Sequence, residues 1–317
     1  MERSNKSEIL VIGDLNIDYL GMIPFFPAPD EEVAIDPLDS YLGGSGANFS
    51  VIATRLGLNV SFFSAVGNDT LGKSLIQLVE ENGVSTQNIK IVDEIASGLV
   101  FGAIEPSGIR RLFCYRGANL NLFSSDIPDE AISSVNWLHL NGPEYHLAAD
   151  LLKRAHAGKI CTSMDPGSIL IEEHEIDDLL ADTDVLFLNE VEFQKLSVGH
   201  NYIERANYLH QKGANWIVLK HQADGCVLFR KGFEPIIQNA YKIDAVDSTG
   251  AGDAFNAGFI FGVLRNYEIS ATLQLANAVG ALTAMSIGAT SGVPAHFAEI
   301  QQFMQSTEIN LSKIVLQ

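Results

Sequence analysis

Two glycine-rich stretches in this sequence could hold an anion. Gly67 to Ser74 reads GNDTLGKS and satisfies the pattern G-x-x-x-x-G-K-[ST], in which a turn of backbone N–H groups wraps nucleotide phosphates. Thr249 to Gly252 reads TGAG and opens an apolar helical segment. Amides in a first helical turn have no intrahelical acceptors, the helix dipole adds positive charge, and small side chains let an anion come close. Asp253 follows within that first turn. A carboxylate repels a neighbouring phosphate, so binding alone does not favour one there; a base that takes a proton from an attacking hydroxyl must be there. The competing reading is an ordinary acidic residue at a helix start, worth roughly 0.3–1 kcal/mol.

Composition narrows what the anion can be. A formal charge of −19 over 317 residues argues against nucleic-acid binding, which demands basic surface. A phosphate ligand must therefore be met locally, by backbone N–H groups, a few cations and metal ions. The chain is globular in composition, with 47% hydrophobic residues and no low-complexity tract. Cys114, Cys161 and Cys226 are scattered and read as three buried thiols in a reducing cytoplasm. The start, MERSNKSEILVIG, shows no apolar signal region, and no apolar run is long enough to span a bilayer. The expectation is a soluble cytoplasmic protein with no membrane partner.

The elements that must position these residues alternate along the chain. EILVIG, VSFFSAVG, WLHLNG, KICTSMD, DVLFLNE and NWIVLKH read as strands covered on both faces. Helix-period segments such as ANFSVIATRLG and HLAADLLKRAHAG lie between them and end in glycine. This is the pattern of an α/β fold with a doubly wound, mostly parallel sheet. Several strands end in polar residues (Asp14 and Asn16, Asn141, Asp165, Asn189 and Glu190, Lys220) that could converge on one crevice. Asn16 to Leu42 lacks a helix, and Ser97 to Gly117 reads as two strands around a Pro-Ser-Gly turn, so both suit a β-rich flap. DAFNAGFIFGVL and SATLQLANAVGALTAMS read as buried helices, the second with Ser270 as N-cap.

DSTGAGDAF resembles the C-terminal signature of the ribokinase-like (PfkB) family of carbohydrate kinases. GDLNIDYL resembles that family's first strand and its sugar-binding Asn-x-Asp, and YLGGSGANFSVIATRLG resembles its N-terminal signature. GNDTLG and LNEVEF resemble its G-x-D-x-x-G and N-x-x-E motifs, so the resemblance covers essentially the whole chain. It implies one ribokinase-like α/β domain over 1–317, with a lid formed by about 16–44 and 96–118. It also implies an ATP-dependent, Mg²⁺-requiring kinase that can form a homodimer through the lid. GNDTLG becomes a strand-to-helix turn, the Walker match becomes an accident, and Lys73 becomes a surface residue.

Site residues follow from the same resemblance. Asp253 is the catalytic base, and Gly250, Ala251 and Gly252 form the anion hole. Asn16 and Asp18 bind substrate hydroxyls, Gly43 and Gly44 let the substrate lie against the backbone, and Asn48 reaches it from the next helix. Asn189 and Glu192 organise Mg²⁺ and the nucleotide phosphates, Glu192 through water. Lys220 and Gly225 belong to the nucleotide loop, where Gln222 stands at a usual glycine, and Asn277 lines the nucleotide pocket. Asp247, with carbonyls near Gly288, matches a monovalent-cation (K⁺) site.

The flap carries the question of substrate. Period-2 alternation puts Leu112, Cys114 and Arg116 on one face, and Arg111, Phe113 and Tyr115 on the other. An inward Arg116 could bond a sugar hydroxyl or pair with a sugar-acid carboxylate. Relatives acting on 2-keto-3-deoxygluconate or fructose often carry an arginine soon after Asp-Pro-Asn; here Asp165-Pro166-Gly167 has none close behind, which leaves a sugar acid as the less favoured alternative. A ribose-like sugar is the first expectation. A nucleoside is the alternative, with Phe25, Phe26 and Tyr41 as a stacking surface. A sugar-binding regulator without turnover and a P-loop NTPase are the readings outside this class.

Overall fold

The first apolar run becomes a strand at the centre of a sheet. In Ile9–Gly13, Ile9 and Val11 enter one core cluster while Leu10 and Ile12 enter another, as the two-residue side-chain period dictates. The computed structural model describes residues 7–107, 109–311 and 314–316. The strands are β1 (Ile9–Gly13), β2 (Asn16–Met22), β3 (Leu38–Gly43), β4 (Val60–Gly67), β5 (Ile89–Val92), β6 (Gly98–Ile104) and β7 (Arg110–Tyr115). They continue as β8 (Trp137–Asn141), β9 (Cys161–Asp165), β10 (Val185–Asn189), β11 (Trp216–Lys220), β12 (Gly225–Arg230) and β13 (Ile236–Asn239). The helices are α1 (Ser45–Leu56), α2 (Thr70–Glu81), α3 (Asp129–Ser133), α4 (Tyr145–Ala157), α5 (Gly167–Glu173) and α6 (Asp177–Leu180). The remainder are α7 (Glu190–Leu196), α8 (Tyr202–Lys212), α9 (Ala251–Leu264), α10 (Ile269–Ala284) and α11 (Phe297–Ser306).

Among the described residues the strands form two sheets. The larger has nine strands in the order β13-β12-β11-β10-β9-β8-β1-β4-β5. It is parallel from β11 to β5, and β12 and β13 add an antiparallel edge. Register brings the strand ends into a row: Gly13 pairs with Asn141, Asn141 with Asp165, and Asn189 with Lys220. Helices cover both faces, so this is the doubly wound α/β sheet expected from the alternation.

The smaller sheet has four strands in the order β3-β2-β6-β7. Its strands come from the two regions that interrupt the helix–strand rhythm. The backbone N–H of Glu105 reaches the carbonyl of Ile109 at 2.9 Å and closes the β6–β7 turn; Gly108 of the expected Pro-Ser-Gly turn lies outside the described residues.

α9 and α10 are apolar on nearly every side and pack against each other. A Cβ on Gly258 would stand 3.0 Å from the Ala276 Cα, and one on Gly262 would stand 2.8 Å from the Thr272 Cγ2. These glycines let the two helices lie close, which fixes where the head of α9 emerges. Two expectations need correction. Ser270 does not cap α10, because the helix starts two residues earlier: Thr272 N bonds the carbonyl of Glu268, which holds the cap position. Cys226 is buried, but Cys161 is partly exposed and Cys114 is exposed on β7, where alternation turns it toward a cavity rather than a core. No described helix is long and apolar enough to cross a membrane. The expected lack of an N-terminal signal falls partly on residues 1–6, outside the described set.

Candidate active site

A cavity of about 310 Å³ opens between the small sheet and the carboxyl ends of the main strands, the place where open α/β sheets collect ligands. The small sheet contributes Asn16 and Asp18 from β2, Leu112 and Cys114 from β7, and Arg116 just beyond it. The main body contributes Asp14, Gly44, Asn48, Thr249, Gly250 and Asp253. Leu112, Cys114 and Arg116 thus share the inward face, as the alternation predicts. Phe113 stands on the outer face, 60% exposed and stacked on Phe101. A hollow of about 480 Å³ lies at the opposite strand ends, around Trp137, Cys161, Val185 and Trp216, and carries none of the residues that the sequence singles out for phosphate transfer.

α9 begins without a side-chain cap. Gly250 holds the N-cap position at φ +73°, a conformation that disfavours any residue with a Cβ, and a Cβ there would meet Ala289 Cβ at 2.5 Å. The first-turn acid does not supply the missing cap. Asp253 instead accepts from Asn48 Nδ2 at Oδ2 and from Asn141 Nδ2 at Oδ1, each at 3.0 Å. The amides of the first turn therefore stay without a carboxylate of their own. Burial pushes the Asp253 carboxyl up to about 6; the two asparagines and Lys220 pull against that, while Asp165 adds to it. At neutral pH the group is still mostly ionised and can accept a proton.

Beside Asp253 lies a second network. Lys220 Nζ meets Asp165 Oδ2 at 2.6 Å, and Asn256 Nδ2 donates to the same oxygen at 2.7 Å. A Cβ on Gly252 would stand 3.4 Å from Lys220 Nζ, so the ammonium abuts the backbone at the head of α9. Burial works to raise the Asp165 carboxyl, but Lys220 and Asn256 outweigh it and hold the group below its ordinary range. Burial works to lower Lys220, and the charges of Asp165 and Glu192 reverse that, so the lysine stays protonated.

Asp18 packs over Gly43, whose missing side chain makes room: a Cβ there would stand 2.1 Å from Asp18 Oδ1. That oxygen has no hydrogen-bond partner although it is buried, and Asn48 Oδ1 is in the same condition. Burial, and then the charge of Asp247, push the Asp18 carboxyl up to about 6. Asn16 is held from behind, its Oδ1 accepting from Asn119 Nδ2 at 2.8 Å. Asn119, from the Gly-Ala-Asn run, also accepts from Leu15 N at 2.9 Å and so acts as scaffold for the cavity-facing strand.

The remaining predicted residues fall outside the cavity lining. Asn189 and Glu192 cap α7 reciprocally: Glu192 N donates to Asn189 Oδ1 and Asn189 N to Glu192 Oε2, both at 2.9 Å. Glu192 is buried, and its carboxyl is raised by burial and then by the charge of Asp165. A cation there would relieve that repulsion. Among the described residues no group of three or more His, Cys, Asp or Glu could hold a metal ion. Asp247 accepts from Thr249 Oγ1 at 2.7 Å and from Gly288 N at 3.1 Å, and Arg110 of β7 stands 3.7 Å away. Burial would raise its carboxyl, but these donors outweigh it and lower it.

Gly225 and Asn277 meet at another corner. Asn277 Nδ2 donates to the carbonyls of Gln238 and Asn239 at 3.1 Å each, and a Cβ on Gly225 would collide with that same Gln238 oxygen. Gln222 keeps the loop's turn by adopting φ +49° itself. Phe25, Phe26 and Tyr41 do not line the cavity; Phe26 instead faces the Arg111 guanidinium at 4.1 Å.

The sequence reading missed the roles of Asn141 and Asn256. Asn141 was visible only as a polar strand end. Asn256 lies three residues after Asp253 and hence on the same face of α9, which is the signal that could have found it.

Known proteins agree with this architecture. The profile described as pfkB family carbohydrate kinase matches residues 6–296. A ribokinase of Haemophilus influenzae is 28% identical over 300 residues, spanning 91% of this chain and 96% of that one. A nucleoside kinase of Methanothermobacter thermautotrophicus is 27% identical over 308 residues, spanning 95% of this chain and 96% of that one. The solved structure of an Arabidopsis thaliana ribokinase complexed with ribose and ATP aligns with TM-score 0.83 at 21% identity, covering 95% of this chain and 99% of that one. That last likeness is one of fold.

Proposed function

The chain belongs to the pfkB family of carbohydrate kinases, and from that premise we propose that it transfers the γ-phosphoryl group of ATP to a hydroxyl of a small, ribose-like sugar. The observation that carries this reading is the Asp253 carboxylate, fixed by Asn48 and Asn141 beside an uncapped helix head.

The acceptor sugar lies between the small sheet and α9. Asp18 Oδ1 and Asn48 Oδ1, both lacking partners, accept from its hydroxyls; burying them unsatisfied is unfavourable, so ligands rich in O–H donors are selected. Asn16 adds a contact from β2; Gly43 serves by leaving room for the Asp18 carboxylate rather than for the ring, a correction to the expected approach, and Gly44 lines the cavity wall. The attacking hydroxyl gives its proton to Asp253 as its oxygen bonds to the γ-phosphorus and the bond to the ADP oxygen breaks. The amides of Gly250, Ala251 and Gly252 receive the charge that builds on the transferring group.

Lys220 supplies a fixed positive charge beside those amides, where the phosphates of the nucleotide gather. Gly225 and Asn277 shape the neighbouring corner of the nucleotide site. Asn189 and Glu192 would hold Mg²⁺, Glu192 through water, and the ion would neutralise charge on the β- and γ-phosphates. A K⁺ ion near Asp247 belongs to the same reading, and it would have to share that carboxylate with the Arg110 guanidinium 3.7 Å away.

The small sheet acts as a lid of the single domain and keeps water from competing for the phosphoryl group. Its open edges, β3 and β7, suit pairing of two copies into a dimer, and a cytoplasmic setting supplies the ATP. A sugar is favoured over a nucleoside because no aromatic side chain is among the described residues lining the cavity. The test is ADP formation across a panel of sugars and nucleosides, with sedimentation for the dimer. The expected result is ATP consumption that depends on an added sugar. ATP hydrolysis indifferent to any polyol, or sugar binding with no turnover, would overturn the reading.

A further inference from the structure

Arg116 is the cation one would assign to an anionic acceptor, yet its charge is already matched. Its side chain is 15% exposed and turned into the cavity. Nε donates to Asp14 Oδ2 at 3.1 Å, Nη2 donates to Asp14 Oδ1 at 2.9 Å, and Nη2 also reaches the carbonyl of Gly142 at 3.1 Å. This is the two-pronged geometry by which a guanidinium grips a carboxylate. A ligand carboxylate or phosphate would have to displace Asp14 to use the same fork.

The rest of the lining repeats the message. The other ionisable acids on the cavity wall are Asp18 and Asp253, so with Asp14 cancelling Arg116 the surplus charge is negative. The two buried oxygens without partners, on Asp18 and Asn48, are acceptors and call for O–H or N–H donors. A sugar acid or sugar phosphate brings acceptors and a negative charge to a wall that already has both.

We propose that Asp14 sets the charge class of the acceptor: by occupying Arg116 it restricts the cavity to uncharged polyols and turns away sugar acids and sugar phosphates. The inference rests on the sugar-kinase reading, but it concerns a residue which that reading does not need. Asp14 touches Arg116 rather than the reacting atoms, so it acts as a selectivity residue through its partner.

The experiment compares kcat/KM for ribose and fructose with kcat/KM for gluconate and ribose 5-phosphate, using the full-length protein. In the wild type the uncharged sugars should lead by about 10-fold or more, the scale of one charge-assisted hydrogen bond. Asp14→Asn removes the competing charge and keeps the shape. It should raise the anion-to-neutral ratio by about 10-fold or more, and adding Arg116→Gln should erase that gain. Asp14→Ser tests the same point should the amide variant fold poorly. An unchanged ratio in a folded Asp14 variant, or a wild type that prefers the anions, overturns the inference.

Thermal shift by the same four ligands separates the two ways of failing. If ribose and fructose stabilise the wild type and gluconate stabilises only Asp14→Asn, while no ADP forms, the kinase reading fails and the role of Asp14 stands. If ADP forms with sugars and the Asp14 variants keep the wild-type ligand order, the reverse holds.

Discussion

The heads of α2 and α9 look alike in sequence and differ in what occupies them. Both have two glycines flanking the helix start, Gly67 and Gly72 at α2 and Gly250 and Gly252 at α9, and both carry an aspartate close to the first turn. At α2 the carboxylate of Asp69 folds back onto the protein. It accepts from Gly72 N at 2.6 Å, from Ser97 N at 2.9 Å and from Ser97 Oγ at 2.7 Å. Burial alone would raise this carboxyl, and the Ser97 and Gly72 donors lower it instead. The place where a P-loop would hold phosphate is filled by the chain's own anion. At α9 the aspartate sits inside the turn and is pulled aside by two asparagines, so no side chain caps the head; Ala251 N reaches only the Ser248 carbonyl, at 3.2 Å. On the proposed reading, the α9 head can receive an external anion because no side chain of its own caps it.

Removing the α9 carboxylate should produce the largest effect. Asp253→Asn is expected to lower kcat by about 10²–10⁴-fold, the range for a general base, with KM for ATP changed only a few-fold. Steady-state kinetics check this, and retained turnover would remove the base assignment. The wild-type rate should fall as pH drops through about 6, where Asp253 takes up a proton.

Stability should move the other way. The carboxyl titrates higher in the folded protein than the ordinary value of 3.8, so its contribution to stability is full below that value and is lost as pH rises through about 6. The asparagine variant should therefore gain on the wild type by up to ~3 kcal/mol at pH 8, with a smaller margin at pH 5. Melting curves at the two pH values decide it.

Next come the glycines of the two heads, where the contrast is one of kind. Gly250→Ala puts a Cβ at positive φ against Ala289 and displaces the anion hole; kcat should fall by about 10²–10³-fold, as for loss of an oxyanion donor. Gly72→Ala meets the carbonyl of Gly67 at 2.1 Å and should lower Tm, while the folded fraction keeps its kcat. Equal kinetic damage from both substitutions would dissolve the distinction between the two heads.

Asp69→Ala should have a smaller effect, confined to stability. Loss of an N-cap is worth about 0.5–2 kcal/mol, read as a lower urea midpoint with an unchanged m-value and with KM for ATP unmoved. The wild-type contribution is present above the ordinary carboxylate range and fades as pH falls through the lowered value of Asp69. The stability gap between variant and wild type should therefore narrow in acid.

What could be read from the sequence divides along the same physical line. Asp253 with its small-residue run, the alternation of Asn16 and Asp18 on β2, and the inward set Leu112, Cys114 and Arg116 are local patterns, set by helix and strand periods. The clamp of Asn48 and Asn141 on Asp253 joins residues 205 and 112 positions apart. The Asp14–Arg116 fork joins residues 102 apart. No period encodes such contacts; they follow from strand order and from how the small sheet sits. β5 and β13 escaped notice for a related reason, being four-residue edge strands with too little apolar repetition to stand out. The Asn189–Glu192 cap was legible as N-x-x-E, a capping-box spacing, but the metal-site resemblance drew the reading toward the ligand.

The smallest expected effect falls on Lys73, the residue that makes the Walker pattern complete. In a P-loop that lysine reaches the β- and γ-phosphates, and its loss would abolish nucleotide binding. Here Lys73 lies in the first turn of α2 and is exposed, and its backbone N–H bonds the carbonyl of Asp69 at 3.2 Å. A phosphate at this head would have to displace the Asp69 carboxylate from three donors at once, and in doing so would break the tie to Ser97 just ahead of β6. Lys73→Ala should accordingly leave KM for ATP within about 2-fold and shift stability by less than about 0.5 kcal/mol, as surface substitutions do. A collapse of ATP affinity in this variant, with Asp253→Asn still active, would move the nucleotide to α2 and reverse the roles of the two helix heads.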